Sequence, residues 1–214
     1  MSSFENIVNL ETFRECKDET IPRKTMGKIL EAGRQAPSPK NIQSMEFIVV
    51  EDSGKKESLA SAVGDPRVEE APTSVLVVSD IERMARRLGE DQARSACVAE
   101  ASVAAQNMRL VARENGITSI WVSGFNEEVV ADQFKVPGGK LVVGIVSFAY
   151  TDEPEDREPK FRMNEMTYYD EYGNQIASVF DGVEWKGLYE EKRIYGKKSR
   201  GLVDKVRRRL SKLL

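Results

Sequence analysis

A domain of alternating helices and strands is what this sequence predicts, and three observations carry that reading. Apolar runs of strand length (EFIVV, SVLVV, TSIWV and LVVGIVSFAY) stand between segments patterned for helix. The chain has 214 residues, enough for one large domain or two small ones with a core that needs no staples. No apolar run approaches the ~20 residues that a bilayer crossing needs.

In chain order, residues 3–13 read as a short helix. Pro22 suits the first turn of a second helix running to about Gln35, with Met26, Ile29, Leu30 and Gly33 at helical spacing. EFIVVED is a strand and 54–63 a charged helix. SVLVVSD, Ser74 to Asp80, is an apolar strand entered through Ala71-Pro72. The longest helix runs from about Glu90 to Asn115 and stops at Gly116. Its Ala93, Cys97, Ala101, Ala104, Ala105, Met108 and Ala112 read as small residues on more than one face, which predicts close neighbours on several sides. TSIWVSGF is a third strand, NEEVVADQF a short helix, and LVVGIVSFAY a fourth strand buried on both faces. VPGGK, Val136 to Lys140, is a turn feeding that strand rather than a phosphate cradle.

Composition excludes several function classes. Net charge is −3 with a pI near 5.4, which argues against nucleic acid as the main partner. There is no histidine, so Ser-His-Asp and Cys-His nucleophile systems, HExxH zinc sites and imidazole bases are ruled out. Cys16 and Cys97 lie far apart in no metal or redox spacing, which fits a reducing compartment and no metal site. The first residues lack the basic start and apolar core of a signal peptide, so a soluble cytoplasmic protein is expected. Neither GxGxxG nor GxxxxGK[ST] follows a strand. An enzyme of this composition rests on carboxylates or on a bound organic cofactor.

Four segments offer cofactor chemistry. Thr12 and Arg14 give a hydroxyl and a guanidinium at i, i+2; Lys160 and Arg162 give two cations at the same spacing. Either pair suits a phosphate, although such pairs are common by chance. APSPKNIQ, Ala36 to Gln43, is a stiff, polar connection between helix and strand, able to lie against a flat ligand. GITSIWVSGF ends in a Ser-Gly turn.

In this order, the hydroxyl-x-basic element, APSPKNIQ, AAQNMRLVARENGITSIWVSGF and PKFR resemble the FMN-dependent nitroreductase family from about Leu10 to Arg162. The resemblance implies an α+β fold, a mixed, largely antiparallel sheet wrapped by helices, in an intertwined homodimer with FMN at the subunit interface. It implies a core over residues 1–163 and an arm over 164–214 that packs on the partner subunit. It implies that Thr12, Arg14, Lys160 and Arg162 hold the FMN phosphate. Pro37, Ser38 and Asn41 would approach the flavin ring and ribityl chain, usually from the opposite subunit. Ser123 and Gly124 would form the turn whose backbone N–H faces flavin N5, with no catalytic side chain and no metal. The implied activity is transfer of hydride from NAD(P)H through flavin N5 to a nitroaromatic, quinone or related acceptor, in ping-pong order. The same fold also carries reductive dehalogenation and flavin cleavage, and a flavin-binding sensor or carrier, or a structural dimer without flavin, is the contrasting reading.

The chain departs from the pattern at three places. The family usually has an arginine at the position of Leu10, and Arg67 or Lys17 is the nearest candidate to compensate. The common Gln-Pro-Trp is here Gln43-Ser44-Met45, and the usual Phe is Cys16. Arg67 falls loosely where a flavin-contacting lysine often sits. Trp121 reads as a core aromatic more readily than as a pocket wall, and both cysteines read as packing residues. Leu202, Val203, Val206, Leu210, Leu213 and Leu214 would form one stripe of a basic C-terminal helix. The acidic total favours docking of that helix on the protein itself over a membrane.

Overall fold

The computed structural model describes residues 3–155 and 166–174. The chain divides into two compact units, Met1–Asp156 and Arg157–Leu214. The first is built on a sheet of β2 (Met45–Val50), β3 (Thr73–Asp80), β4 (Thr118–Val122) and β5 (Lys140–Ala149), in the order β2-β3-β5-β4. Each described pairing is antiparallel. Its central strands are buried at nearly every position because both faces are covered. Leu76 and Val78 of β3 point to one face, against Leu59 and Ala60 of α3 (Ser53–Val63), Val68 of α4 (Arg67–Glu70) and Val130 of α7 (Glu127–Gln133). Val75 and Val77 point to the other, against Met26 and Ile29 of α2 (Arg23–Arg34) and Ala101, Ala105 and Met108 of α6 (Glu90–Glu114). Successive residues of a strand alternate faces, so one continuous apolar run serves two cores. This is the expected α+β architecture, a sheet wrapped by helices.

Helix ends follow local chemistry. Asp52 Oδ1 accepts from the Lys55 N–H at 2.9 Å to start α3, which stops at Gly64 with φ 72°. Asp80 Oδ1 accepts from the Arg83 N–H at 2.7 Å to start α5 (Ile81–Leu88). Gly33 sits where α2 crosses α6: a Cβ there would stand 2.9 Å from both Met108 Cγ and Phe47 Cζ. A side chain at Gly33 would therefore have to displace Met108 or Phe47.

Three expectations are corrected. The N-terminal helix, α1, covers only Ser3–Val8, because Asn9 closes its last turn through Glu5 O and the chain then turns into β1 (Thr12–Phe13). β1 pairs with β6 (Pro154–Glu155), a partner far away in sequence. The buried residues of α6 (Ala93, Cys97, Glu100, Ala101, Ala104, Ala105, Met108, Ala112) recur every three to four positions and make one face, not several. Val98 and Val103, outside that face, are exposed. α4 and α5 are helices beyond those read from the sequence.

In the second unit, Met166–Asn174 closes a turn: the Tyr169 N–H donates to Asn174 O, and the Asn174 side chain donates to Tyr169 O, each at 2.9 Å. The rings of Tyr168 and Tyr172 stack there at 4.5 Å between centroids. Lys160, Arg162 and the basic C-terminal stripe lie outside the described residues. Among the described residues no helix is long and apolar enough to cross a membrane.

Candidate cofactor site

The sheet positions two groups of the sequence-predicted residues. Register places Met45 opposite Ser79, Ser79 opposite Leu141, and Val122 opposite Ile145. The APSPKNIQ loop enters β2 at one end of the sheet, and the Ser123–Gly124 turn leaves β4 in the direction of that end, from the level of Ile145 and Ile48 midway along the strands. They sit at opposite edges, however, with β3 and β5 between them. Three strand spacings amount to about 14 Å.

The N-terminal pair belongs to the β4 edge. β1 lies against β4, and the chain after it is stitched to the end of β5. There the Lys17 N–H donates to Tyr150 O and the Thr151 hydroxyl to Glu15 O, both at 2.8 Å. Phe13 is fully buried between Thr12 and Arg14, so these two flank a core residue and face outward together. The Thr12 hydroxyl has no hydrogen-bond partner among the described residues. Arg14 Nη2 lies 2.6 Å from Glu155, the last described residue before the segment that carries Lys160 and Arg162.

Arg67 stands in the same neighbourhood and interacts with the Glu155 carboxylate. Its guanidinium is held by Asp65 through Nε at 2.9 Å and Nη2 at 2.7 Å. Those side-chain hydrogen bonds hold the Asp65 carboxyl below its usual range, against burial, which pushes it up. A carboxyl depressed in the folded state stabilises above its unfolded value, 3.8, and the contribution fades as pH falls through the folded value. Asp65→Asn is expected to flatten the acid limb of the stability curve below about pH 4, by less than ~1 kcal/mol because the pair is partly exposed. Urea midpoints of both proteins from neutral to acid pH check this.

Leu10, at the position of the missing arginine, is buried. Cys16 is half-buried; its thiol donates to Glu70 O at 3.1 Å, and burial pushes its pKa up, away from a reactive thiolate. Cys97 is buried, as expected. Trp121 is half-buried and packs on the core beside α6, its ring across Gly144.

At the β2 edge, Pro37 and Asn41 are exposed and Ser38 is half-buried. A 3-10 turn spans Pro39–Asn41. Lys40, Asn41 and Gln43 have positive φ, at 50°, 57° and 54°. Left-handed backbone at a non-glycine residue costs about 1–2 kcal/mol. Side chains offset that cost: Ser38 Oγ accepts from the Gln43 N–H at 3.0 Å, and Arg83 Nη1 donates to Gln43 O at 2.7 Å. The Asn41 amide has no partner among the described residues. At the other edge, Gly124 turns at φ 82°, leaving Ser123 and Gly124 exposed. Asn126 then caps α7, accepting from the Glu128 and Val129 N–H groups at 3.1 and 3.4 Å.

Two residues that hold the loop were missed from the sequence. Glu100 of α6 is 3% exposed and accepts from the Ser44 N–H and hydroxyl. A lone acid in the stripe Cys97, Ala101, Ala104 was the available signal. Arg83 carried none, being one of several arginines in α5.

The nitroreductase family model matches residues 11–66 and 59–150, most of the chain. This protein belongs to the nitroreductase family. A protein named NADH dehydrogenase from Thermus thermophilus is 23% identical over 183 residues, covering 71% of this chain and 89% of the relative. Two solved structures share the fold. An FMN-dependent nitroreductase from Clostridium difficile has a TM-score of 0.68 at 24% identity, covering 79% of this chain and 99% of its own. The NADPH:FMN oxidoreductase from Vibrio harveyi, complexed with NAD+, has a TM-score of 0.73 at 20% identity, covering 81% and 79%.

Proposed function

We propose that this protein is an FMN-dependent NAD(P)H oxidoreductase of the cytoplasm, working as a homodimer with FMN held between two copies. The observation that carries the reading is the division of its site residues between opposite edges of one sheet. Neither edge alone offers both a phosphate anchor and a ring-facing loop; a second copy supplies the missing half. The names of the Thermus, Clostridium and Vibrio proteins support the cofactor and the reductant.

The donor set fits FMN. The Thr12 hydroxyl, without a partner among the described residues, and the Arg14 guanidinium suit a phosphate, with Lys160 and Arg162 proposed from sequence as the second pair. Arg14 exchanges or shares its Glu155 contact on binding. Pro37 and Ser38 give a rigid surface for a ring, and the exposed Asn41 amide can both donate and accept. The exposed Ser123–Gly124 turn presents backbone N–H groups, fixed dipoles useful where charge develops. FMN, when bound, would supply the hydride chemistry between NAD(P)H and an acceptor. The chain would bind and orient the cofactor, and the proton that accompanies hydride onto a quinone or nitro acceptor would come from solvent. A nitroaromatic or quinone in ping-pong order is the acceptor class proposed. Val98 and Val103 of α6, with Phe4 and Ile7 of α1, are exposed apolar residues offered to the partner.

The test is a visible spectrum of the purified protein saturated with FMN, followed by anaerobic NADH or NADPH. The expected outcome is a retained flavin band that bleaches on reductant and recovers on menadione. A sample that holds FMN but neither bleaches nor turns over would leave a carrier in place of an enzyme.

A further inference from the structure

The loop that carries Pro37, Ser38 and Asn41 adopts a conformation that its own residues disfavour, with Lys40, Asn41 and Gln43 all left-handed. Ser38 holds part of it from within, through the Gln43 N–H, and the rest of the hold comes from contacts at its exit. Ser44 carries the strongest of these. Its N–H lies 3.2 Å from Glu100 Oε1 and its hydroxyl donates to Glu100 Oε2 at 2.6 Å. Its Oγ is 2.7 Å from Ser79 Oγ, and its carbonyl accepts from the Asp80 N–H at 2.9 Å. Each polar group of Ser44 is therefore bound, and the residue is fully buried.

Glu100 is an expensive way to do this. Among the described residues no ion pair reaches it, and burying a carboxyl against neutral donors is unfavourable unless those bonds matter. An alanine or leucine would pack on α6 without that cost, as its neighbours Ala101 and Ala104 do. We propose that Glu100 is a positioning residue: from the buried face of α6 it locks Ser44 and so presets Ser38 and Asn41 before cofactor binds. The proposal rests on the FMN reading for its consequence, but the locking itself does not need FMN.

Two readouts separate the parts. One is FMN affinity by fluorescence quenching. The other is the rate at which trypsin cuts after Lys40, an exposed residue inside the loop, in cofactor-free protein. Both are measured where circular dichroism shows every variant folded. Glu100→Ala is expected to weaken FMN by about ten- to hundredfold, the loss typical of hydrogen bonds to a charged group, and to speed cleavage after Lys40. Glu100→Gln restores both to within about threefold. Its amide oxygen accepts the Ser44 N–H while its NH2 donates to Ser44 Oγ, whose own hydrogen turns to Ser79. Leu59→Ala, a core truncation in α3 on the other face of the sheet, lowers the melting temperature yet leaves both readouts unchanged. Ser44→Ala, a milder change that keeps the N–H bond, gives an intermediate effect and stands in if Glu100→Ala does not fold. The proposal is overturned if Glu100→Ala or Ser44→Ala leaves both readouts at wild-type values, or if Leu59→Ala moves them as much. Wild-type protein that ignores FMN would sink the cofactor reading, and the cleavage rates alone would then decide the role of Glu100.

Discussion

A chain carrying Thr12→Ala with Arg14→Ala, co-assembled with one carrying Ser38→Ala with Asn41→Ala, is expected to recover FMN binding that neither variant shows alone. The first removes the β4-edge half of the site and the second the β2-edge half. Each homodimer then has two sites, every one lacking a half. In the mixed dimer one site receives both defective halves and the other receives both intact ones. Random assembly makes half the dimers mixed, so the preparation should bind about one FMN for every four chains. The effect is large because charge-assisted hydrogen bonds contribute about 1.5–3 kcal/mol each. Losing Arg14 and Thr12 together should weaken binding by about a hundredfold or more. Counting bound flavin after gel filtration reads the result. A mixture that binds no more than its separate components would mean that both halves serve one chain, and the shared-site reading would fail. Wild-type retention by either double variant would mean those residues do not touch the cofactor.

What the sequence discloses and what it conceals divide along the reach of the interactions involved. LVVGIVSFAY was readable as a strand because both its faces are buried, so its apolar run is unbroken and needs no partner to be recognised. The segment between α2 and β2 was readable as a connection because its prolines stop the helix and its polar residues do not continue into the apolar strand. By contrast, Leu10 to Phe13 continues the apolar spacing of α1, and nothing local reveals that Phe13 pairs with Pro154 instead. The single buried face of α6 was misread because alanine is compatible with any face, and only the packing of β3 and α2 chooses one. Glu100 escaped for the same reason. Its meaning lies in Ser44, fifty-six positions away in the chain, and acids at helix surfaces are ordinary. The substitution of Gln43-Ser44-Met45 for Gln-Pro-Trp looked like a loss of pattern. In the fold it supplies an N–H and a hydroxyl that proline does not have, and Glu100 takes both.

Gly144→Ala is expected to destabilise the protein by about 3 kcal/mol, lowering its melting temperature by roughly 6–12 °C at this chain length. Two effects oppose each other. Alanine is better than glycine in a strand by about 0.5–1 kcal/mol, since it has less backbone freedom to lose. Against that, a Cβ at Gly144 would stand 2.2 Å from Trp121 Cη2, 2.5 Å from Cζ2 and 2.7 Å from Cζ3. The indole thus fills the space where a side chain would be. It is a rigid ring, and its own strand fixes its root, with Trp121 paired to Val146. Either the ring leaves its half-buried seat or β4 and β5 part, and both cost more than alanine returns. Trp121 is two residues from Ser123, so displacing it should also loosen the turn proposed to face flavin N5 and weaken FMN binding. Adding Trp121→Leu to Gly144→Ala removes the obstructing ring and should recover part of the lost stability, a non-additive outcome that a double-mutant cycle measures directly. A Gly144→Ala protein that melts within about 2 °C of wild type would mean the ring moves freely, and the indole would then have no part in holding the turn.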